Sequence, residues 1–391
     1  MCTLVIDAIN IRKGGGVTHL QNILREADYS NFKFKKIIIY GSSDLLRQLN
    51  VSNDCIITIN YPFFDRSSLY LFIWQLFKFK KELKKHEAKV VFVPGGTFLY
   101  FHDSVVTMSR NMLPIELSEA WRYGISFTFF RLVALRLFTI FSFYRSAGFI
   151  FLNESAFEKF KSIGLYKSLT ANSNWFNIIP HGIEDRIQKV NSGDSKCFNF
   201  GHIRSMKVIY VSIIDVYKHQ DIVCEAFDKL IKLGFNLELE LVGPEYTPAL
   251  NKLNRKLALM SKKTLDRITY HGNLGIDEQM NLYNSCDLIL FGSTCENLPN
   301  ILLEGMRTGL PIVCSNYNPM PEILGEGAVY FDPTLEESII SAIRKVYTSS
   351  ELRATISKES YSRSLAYSWK KCALQTFNYL ESFNKEGKCV V

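Results

Sequence analysis

Glu296 and Glu304 are separated by seven residues in the stretch CENLPNILLEGMRTGLP, residues 295–311. Pro299 is typical of the start of a helix and Gly309 of its left-handed end, so the stretch predicts a loop followed by a short helix. Glu296 then lies in the loop, and Glu304 projects from the middle of the helix. Two carboxylates placed in this way are candidates for binding a ligand.

The start of a helix carries partial positive charge and attracts phosphate groups. Asn297 is placed to cap this helix. Carboxylates do not bind phosphates, but they accept hydrogen bonds from hydroxyl groups. A ligand with both a diphosphate and sugar hydroxyls would use both features, with Glu296 on a sugar and Glu304 on a ribose. Spacing leaves a second interpretation open, in which Glu304 is a solvated carboxylate paired with Arg307.

Two other segments have the composition of phosphate-binding loops. The glycines at 14–16 follow the first predicted strand and precede a predicted helix, so their amides can approach a phosphate, although a tight turn would use the same residues. Lys218 lies in the loop after the first strand of the second half, where its ammonium can neutralise a diphosphate. Any surface loop can hold a lysine, so both interpretations stay open.

The elements that must position these residues repeat one pattern along the chain. Continuous runs of β-branched and aromatic residues, bounded by turn residues, are typical of strands buried on both faces. Helical stretches lie between most of them, which predicts parallel sheets in two doubly wound α/β domains. The predicted strands are 2–9, 35–42, 55–60, 88–95, 103–109, 146–153, 207–214, 237–244, 267–273, 286–293, 310–315 and 328–333. The predicted helices of the second half are 220–234, 247–262, 277–285, 299–308 and 335–348.

The length of 391 residues also favours two domains, because one ordinary core does not grow to that size. The segment NIIPHGIE at 177–184 reads as a strand followed by His-Gly and is the predicted link. We therefore place the domains at 1–178 and 179–365, with a C-terminal helix in 366–391 that packs back on the first domain.

The net charge of +8 belongs to the first half of the chain. Residues 1–180 contain 22 Lys and Arg against 13 Asp and Glu, a net charge of +9, whereas the remainder carries −1. An anionic membrane surface, a nucleic acid and an anionic small ligand are the three partners that this asymmetry suggests. The chain has no zinc, RNP-like or helix-turn-helix signature, so we expect no nucleic acid partner.

Two aromatic-rich stretches, 67–87 and 123–152, suit a helix that lies in a membrane interface. No charge-free run approaches the ~18–20 residues of a spanning helix, so none is expected to cross. Core helices with solvated basic faces are the alternative. The first stretch contains Lys78, Lys80, Lys81, Lys84 and Lys85, and arginines 131, 136 and 145 interrupt the second.

Cysteine usage and the N-terminal residues indicate the location of the protein. The nine cysteines form neither a C-x-x-C pair nor a cluster at zinc spacing, which is typical of the cytosol. The N-terminus leads directly into a strand-like run, so we predict no signal peptide. Together with the basic aromatic stretches, these features predict a cytoplasmic protein that is peripheral on the inner face of the cytoplasmic membrane.

The C-terminal half resembles family 4 of the retaining nucleotide-sugar glycosyltransferases. The family's two glutamates and following G-x-P-x-V strand match Glu296, Glu304 and GLPIVCS (309–315) in order and spacing. NIIPHGIE is similar to the family's linker strand, and GGGVTHL to its N-terminal glycine loop. YVSIIDVYKHQ adds a likeness to the branch that makes bacterial surface polysaccharides such as O-antigen. The resemblance extends over nearly the whole chain.

The resemblance implies the GT-B fold, in which an N-terminal acceptor-binding and a C-terminal donor-binding Rossmann-like domain face each other across a cleft. It implies retaining transfer of a hexose, of mannose or rhamnose type, from a nucleotide diphosphate sugar to a polyprenyl-diphosphate-linked polysaccharide. No cofactor and no metal are expected, because lysine and helix dipoles would stabilise the leaving diphosphate. A nucleotide-sugar epimerase and an inactive scaffold of the same fold are the alternatives.

The resemblance also assigns roles to individual residues. Glu296 and Lys218 are the expected catalytic residues. The expected donor-binding residues are Gly15, Gly16, Ser212, Lys218, Gly243, Asn273, Glu296, Asn297, Leu298, Pro299, Asn300 and Glu304.

Two positions depart from the family pattern. The family usually has an arginine six residues before the phosphate lysine, where this chain has Ser212, and Arg204 is one candidate for the missing charge. Many members also have a histidine near the acceptor. Ser109 and Arg110 stand at about that place in this chain, and we assign both, with Asn111, to the acceptor side.

Overall fold

A computed structural model describes residues 2–12, 14–51, 53–65, 68–165, 175–190 and 204–384. The chain divides into two compact units. The first unit contains Met1–Ile115, Ser126–Gly182 and Ser368–Val391, and the second contains Glu116–Ile125 and Ile183–Tyr367. The main difference from the predicted domains is therefore the short segment Glu116–Ile125, which belongs to the second unit.

The first unit is built on a seven-stranded sheet in the order β3-β2-β1-β4-β5-β6-β7, and all of its strand pairs are parallel. Continuous apolar strands such as β1 are buried along their whole length, as the sequence pattern predicted. The order reverses between β1 and β4, and the crevice at such a switch point is where ligands bind in open α/β sheets. The strands are β1 Cys2–Asp7, β2 Phe34–Tyr40, β3 Ile56–Ile59, β4 Ala88–Val93, β5 Val105–Met108, β6 Gly148–Phe151 and β7 Phe176–Ile178.

Helices link the strands of the first unit, and the C-terminal helix α16 (Trp369–Glu381) packs on the same unit. The ring of Phe377 stacks on that of Phe32 at 5.0 Å, and the Tyr379 hydroxyl accepts a hydrogen bond from the backbone of Phe149 at 3.3 Å. The other helices are α1 Gly15–Arg25, α2 Ser43–Leu49, α3 Ser68–Phe77, α4 Phe79–Lys85, α6 Phe127–Arg145 and α7 Glu154–Ser162.

Helix α6 lies within the second aromatic-rich stretch. The helix has 19 residues, and by length and composition it is long and apolar enough to cross a membrane, although it contains three arginines, Arg131, Arg136 and Arg145. Among its residues only Leu132, Ser142 and Phe143 are buried. The hydroxyl of Ser142 bonds to the backbone of Phe98, at 2.9 Å to its nitrogen and 3.2 Å to its oxygen, so the helix is fixed on the surface of the unit.

The second unit has a six-stranded sheet in the order β10-β9-β8-β11-β12-β13, again with parallel pairs. Its switch point lies between β8 and β11. The strands are β8 Met206–Val211, β9 Leu237–Val242, β10 Ile268–Tyr270, β11 Leu288–Phe291, β12 Ile312–Ser315 and β13 Val329–Phe331. The helices are α5 Leu117–Trp121, α8 Gln220–Lys232, α9 Thr247–Leu257, α10 Lys262–Leu265, α11 Ile276–Ser285, α12 Asn300–Thr308, α13 Met320–Leu324, α14 Glu336–Thr348 and α15 Ser350–Ser364.

Helix α12 forms where the sequence predicted it, but its start is built differently. Pro299 is the N-cap residue, directly before the first helical turn, and it supplies no side-chain cap. The prediction that Asn297 is the cap is therefore wrong, because Asn297 lies two residues too early. Gly309 ends the helix in the left-handed conformation with φ of 71°, as predicted.

Candidate active site

Lys218 and Glu296 lie on the two sides of the switch point in the second unit. The loop after β8 carries Lys218 and the loop after β11 carries Glu296, so both side chains lie at the carboxyl edge of the sheet. The Lys218 ammonium donates a hydrogen bond to Glu296 Oε1. The side chains are only 8% and 14% exposed. The structure thus brings together the two residues expected to be catalytic, which are 78 positions apart in sequence.

Aromatic rings and a backbone hydrogen bond fix Lys218 in place. Its ammonium lies 5.1 Å from the centre of the Tyr217 ring and 5.0 Å from that of Phe291, within the range of a cation–π attraction. The Tyr210 hydroxyl, inside β8, donates to the backbone oxygen of Lys218 at 2.6 Å. These contacts hold the Lys218 ammonium at the carboxyl edge of the sheet.

The segment Glu116–Ile125 supports the same loops, a role that sequence analysis missed. Thr294, two residues before Glu296, donates from its hydroxyl to Glu119 Oε2 at 2.8 Å. A carboxylate only accepts, so the His219 Nε2–H group donates to Thr294 Oγ1, at 3.1 Å. Burial lowers the pKa of His219 to about 4, and the imidazole is therefore neutral near pH 7.

A second contact from this segment reaches the loop that carries Lys218. The Tyr123 hydroxyl donates to Asp215 Oδ1 at 3.0 Å, and its ring lies 5.5 Å from that of Tyr246. Burial raises the pKa of Asp215. No motif or spacing in the sequence marked residues 116–125, because their partners lie almost 100 positions or more further along the chain.

The environment of Glu304 does not fit the alternative interpretation, in which it is a solvated carboxylate paired with Arg307. Arg307 does not pair with it but donates to the backbone oxygen of Ser364 at 3.2 Å. Among the residues that the structure describes, Glu304 has neither a hydrogen bond nor an ion pair. Burial, and then repulsion from Glu184, raise the pKa of Glu304 to about 7. An unpaired carboxylate in a partly buried position is suited to accept hydrogen bonds from a ligand.

The other expected donor-binding residues of the second unit differ in their exposure to solvent. Gly243 has φ of 138° and no room for a side chain, because a Cβ would overlap the backbone oxygen of Ser212. Asn273 is exposed beyond β10. Asn297 and Leu298 are buried in the loop.

Asn300, the first residue of α12, is the most informative of these residues. Its Oδ1 atom is buried and has no hydrogen-bond partner among the residues that the structure describes. An unsatisfied buried acceptor of this kind costs about 1–3 kcal/mol, and a donor group of a ligand would remove that penalty.

The suggestion that Arg204 supplies charge to a diphosphate is wrong. Arg204 precedes β8 and donates to Asp287 Oδ1, just before β11, at 2.6 Å. Both residues therefore lie at the amino edge of the parallel sheet. Strands of four to six residues, at about 3.3 Å per residue, separate them from Lys218 and Glu296.

In the first unit, Arg110 lies against the glycine loop at the carboxyl edge of the sheet. A Cβ on Gly16 would be 2.9 Å from Arg110 Nη2 and still closer to Nη1. Burial lowers the pKa of Arg110 to about 10. The two neighbours that were also assigned to the acceptor side differ in exposure, since Ser109 is buried and Asn111 is exposed.

A pair of buried histidines lies close to Arg110. His19 Nδ1 and His181 Nδ1 are 3.0 Å apart, and both rings contact Trp369. Burial, the His181 ring and Arg110 lower the pKa of His19 well below its usual value, and burial and Arg110 lower that of His181 to about 3. The family histidine sought near Arg110 in the sequence thus has no direct equivalent there, but two neutral histidines lie nearby.

Neither unit brings together the side chains of a metal site, as far as residues are described. No group of three or more His, Cys, Asp or Glu side chains occurs there in a suitable arrangement.

Comparisons with known proteins agree with this geometry. Residues 204–363 match the family model described as "Glycosyl transferases group 1". An O-antigen chain mannosyltransferase B of Escherichia coli is 27% identical over 111 residues, which cover 28% of this chain and 29% of the relative. The matched segment thus spans less than a third of that relative's length.

Solved structures are similar over the whole chain. Sucrose-phosphate synthase from Thermosynechococcus elongatus superposes with a TM-score of 0.71 at 14% identity, covering 98% of this chain and 99% of that one. Anabaena HepE, solved in complex with UDP and glucose, gives a TM-score of 0.66 at 16% identity, covering 98% and 100%. At these identities the likeness concerns the fold.

Proposed function

Because residues 204–363 form a glycosyl transferases group 1 domain, we propose that this protein transfers a hexose from a nucleotide diphosphate sugar to a saccharide acceptor. The observation that carries the proposal is the Lys218–Glu296 pair at the switch point of that domain. Mannose or rhamnose is the favoured sugar, since an O-antigen mannosyltransferase is among the relatives. The prediction of this family from the two glutamates is confirmed, and so is that of two parallel-sheet α/β domains.

The proposed chemistry is retaining and independent of metal. When the bond between the anomeric carbon and the diphosphate breaks, negative charge grows on the leaving oxygens, and Lys218 and the amides at the start of α12 stabilise it. Glu296 accepts hydrogen bonds from the sugar hydroxyls and stabilises the positive charge on the ring. Without substrate the two side chains neutralise each other, and the donor replaces this contact with one partner for each.

We expect the purified protein to release a nucleoside diphosphate from one or a few nucleotide sugars. The measurement is release from a panel of UDP-, GDP-, dTDP- and ADP-sugars, with and without polyprenyl-diphosphate-linked saccharide acceptors. Faster release with acceptor, and retained anomeric configuration in the product by NMR, support the proposal. Full activity in EDTA supports a metal-independent reaction. Release from no sugar under any condition would contradict the proposed function.

We also propose that the protein works at an anionic membrane surface, where a lipid-linked acceptor is found. Helix α6 supports this, because it exposes five large apolar or aromatic side chains at helical spacing, with the exposed Arg131 among them. The five are Phe127, Phe130, Leu137, Phe141 and Tyr144, with exposures from 38% to 85%. Phe143, on the opposite side, packs against the rings of Phe149 and Trp175.

Positive charge continues from these side chains along the same unit. The Arg145 guanidinium lies 3.1 Å from the centre of the Phe101 ring, and Phe101 lines a surface pocket with Lys80 and Lys84. All five lysines between 78 and 85 are exposed. The exposed apolar side chains and the basic side chains are thus adjacent, as a surface for anionic lipid requires.

Vesicle binding tests this surface. We expect the wild type to bind anionic vesicles at low salt and to be largely released in 1 M salt, where the Debye length falls to ~3 Å. Replacing Phe127, Phe130 and Leu137 with serine should weaken binding at every lipid composition. Replacing the five lysines with glutamine should remove only the preference for anionic lipid.

The matched control replaces three exposed leucines of the second unit, Leu233, Leu259 and Leu365, with serine and should bind like the wild type. Equal binding of all variants, or no binding of the wild type, would contradict the membrane proposal.

A further inference from the structure

We infer that Glu119 is a positioning residue, which acts through Thr294 on the two loops that carry Lys218 and Glu296. The inference rests on the proposed function, because Lys218 and Glu296 are the reacting groups of the proposed transfer. All four residues belong to the second unit, although Glu119 comes from the short segment between β5 and α6. Its side chain is thus a fixed point outside both loops, against which they are held.

Thr294 joins the two loops at positions close to the catalytic residues. It lies two positions before Glu296 and is 6% exposed. Its backbone N–H donates to the backbone oxygen of Tyr217 at 2.9 Å, and its hydroxyl accepts from His219 Nε2 at 3.1 Å. Tyr217 and His219 are the residues on either side of Lys218. A shift of Thr294 would therefore move both loops at the point where Lys218 and Glu296 meet.

The conformation of His219 depends on this contact. Its φ of 54° is in the left-handed region, which is unfavourable for a residue with a side chain. The imidazole is buried, and the Thr294 hydroxyl holds its outer nitrogen. Loss of the hydroxyl would release the backbone directly after Lys218 from a conformation that it does not favour.

The Glu119 carboxylate fixes the Thr294 hydroxyl in the orientation that these contacts need. Its Oε2 atom accepts from the Thr294 hydroxyl and from Arg122 Nε, at 2.8 Å in each case. The hydroxyl has one proton, and because it donates that proton to Glu119, its oxygen accepts from His219. Hydrogen bonds to a charged group are stronger than those between neutral groups, and the Glu119 side chain is only 8% exposed. Arg122 supplies the opposite charge that a buried carboxylate needs.

A small displacement matters at this site because the reacting groups act through electrostatics. Charges stabilise a transition state only when they are held at the right distance from it, and a misplacement of about 1 Å can reduce the rate about 100-fold. Binding of the donor can still draw a loosened loop back towards its place. Loss of the Glu119–Thr294 contact should therefore affect the turnover number more than the affinity for the donor.

Two substitutions of Thr294 separate the hydroxyl from the shape of the side chain. Thr294→Val keeps the shape, and we expect it to reduce the turnover number about tenfold or more, with less than about a threefold change in the KM for the donor. Thr294→Ser keeps the hydroxyl and should restore most of the turnover. Glu119→Gln should act in the same direction as Thr294→Val. The double variant should be no slower than Thr294→Val alone, because both changes remove one contact.

The matched control is Thr264→Val, which removes another buried hydrogen bond between a threonine and a carboxylate of the second unit. Thr264 Oγ1 donates to Asp228 Oδ1 at 2.6 Å, and Thr264 precedes β10, at the amino edge of the sheet. Denaturant unfolding should show a loss of stability for Thr264→Val and for Thr294→Val alike. Only Thr294→Val should turn over more slowly.

Amide hydrogen exchange tests the hold on the loops without any turnover. We expect Thr294→Val and Glu119→Gln to speed exchange in 212–219 and 292–298, and Thr264→Val to leave both segments unchanged. Unchanged exchange in these segments, or wild-type turnover from Thr294→Val, would overturn the positioning role, even if glycosyl transfer is found. Faster exchange in a protein that transfers no sugar would leave the hold of Glu119 on the loops standing and the proposed function refuted.

Discussion

Glu296→Gln should reduce the turnover number about 100- to 1,000-fold, while the protein keeps its affinity for the nucleoside diphosphate product. The expected loss is that of removing one preorganised electrostatic group from the reacting centre. Product affinity should be kept or increased, because the carboxylate that competes with phosphate for Lys218 is gone. Steady-state release of nucleoside diphosphate gives the turnover number, and calorimetry gives the affinity.

This pair of measurements separates catalysis from folding. A variant that had lost its fold would lose turnover and nucleotide binding together. The control is Glu238→Gln, which breaks another lysine–glutamate pair of the same unit, with Lys207 at 3.5 Å, at the amino edge of the sheet. It should leave turnover unchanged. If Glu296→Gln turns over at the wild-type rate, Glu296 has no catalytic role and the proposed mechanism is wrong.

The sequence predicted the sheets well because their strands are buried on both faces. Runs such as IIIY in β2 and LILF in β11 have almost no polar residues, and a strand is the short element that buries such a run. The ends of these strands, with their glycines and polar residues, then located the loops that carry Lys218 and Glu296. Parallel pairing places both loops at one edge of the sheet, which is why two distant residues could be assigned to one site.

Contacts that depend on tertiary structure could not be predicted in this way. Glu119 and Tyr123 belong to a segment that the chain order places in the first half, yet they support loops of the second unit. The role of Arg204 was misjudged because the direction of the strand was overlooked. Arg204 precedes β8 in the chain and therefore lies at the amino edge of the sheet, whereas Lys218 follows the strand.

The environment of Glu304 was also left open by the sequence, and it has a consequence for stability. Its pKa is raised from 4.5 to about 7 because burial disfavours the charged form. Between these two values the folded protein holds a proton that the unfolded chain has lost. The contribution of this group to the free energy of unfolding is therefore intact below pH 4.5 and decreases as pH rises to about 7. A pKa difference of that size corresponds to about 3 kcal/mol in the free energy of unfolding.

Glu304→Gln should therefore stabilise the protein at pH 8 and weaken its binding of nucleotide. Glutamine is neutral at every pH. The free energy of unfolding of the variant should therefore exceed that of the wild type by up to about 3 kcal/mol at pH 8 and match it near pH 4.5. Denaturant unfolding at the two pH values measures this. Loss of a charged acceptor for the ribose hydroxyls should weaken the binding of a nucleoside diphosphate by roughly 1–3 kcal/mol, which is about tenfold or more in affinity.

A gain in stability together with a loss of binding is the signature of a carboxylate kept for its ligand. In the wild type, nucleotide affinity should also rise from pH 6 to pH 8, because only ionised Glu304 accepts two hydroxyl groups well. Glu337→Gln, at a surface glutamate whose side chain is 78% exposed, is the control and should change neither quantity. If Glu304→Gln binds nucleotide like the wild type while becoming more stable, burial of the carboxylate has no function in binding and the ribose assignment fails.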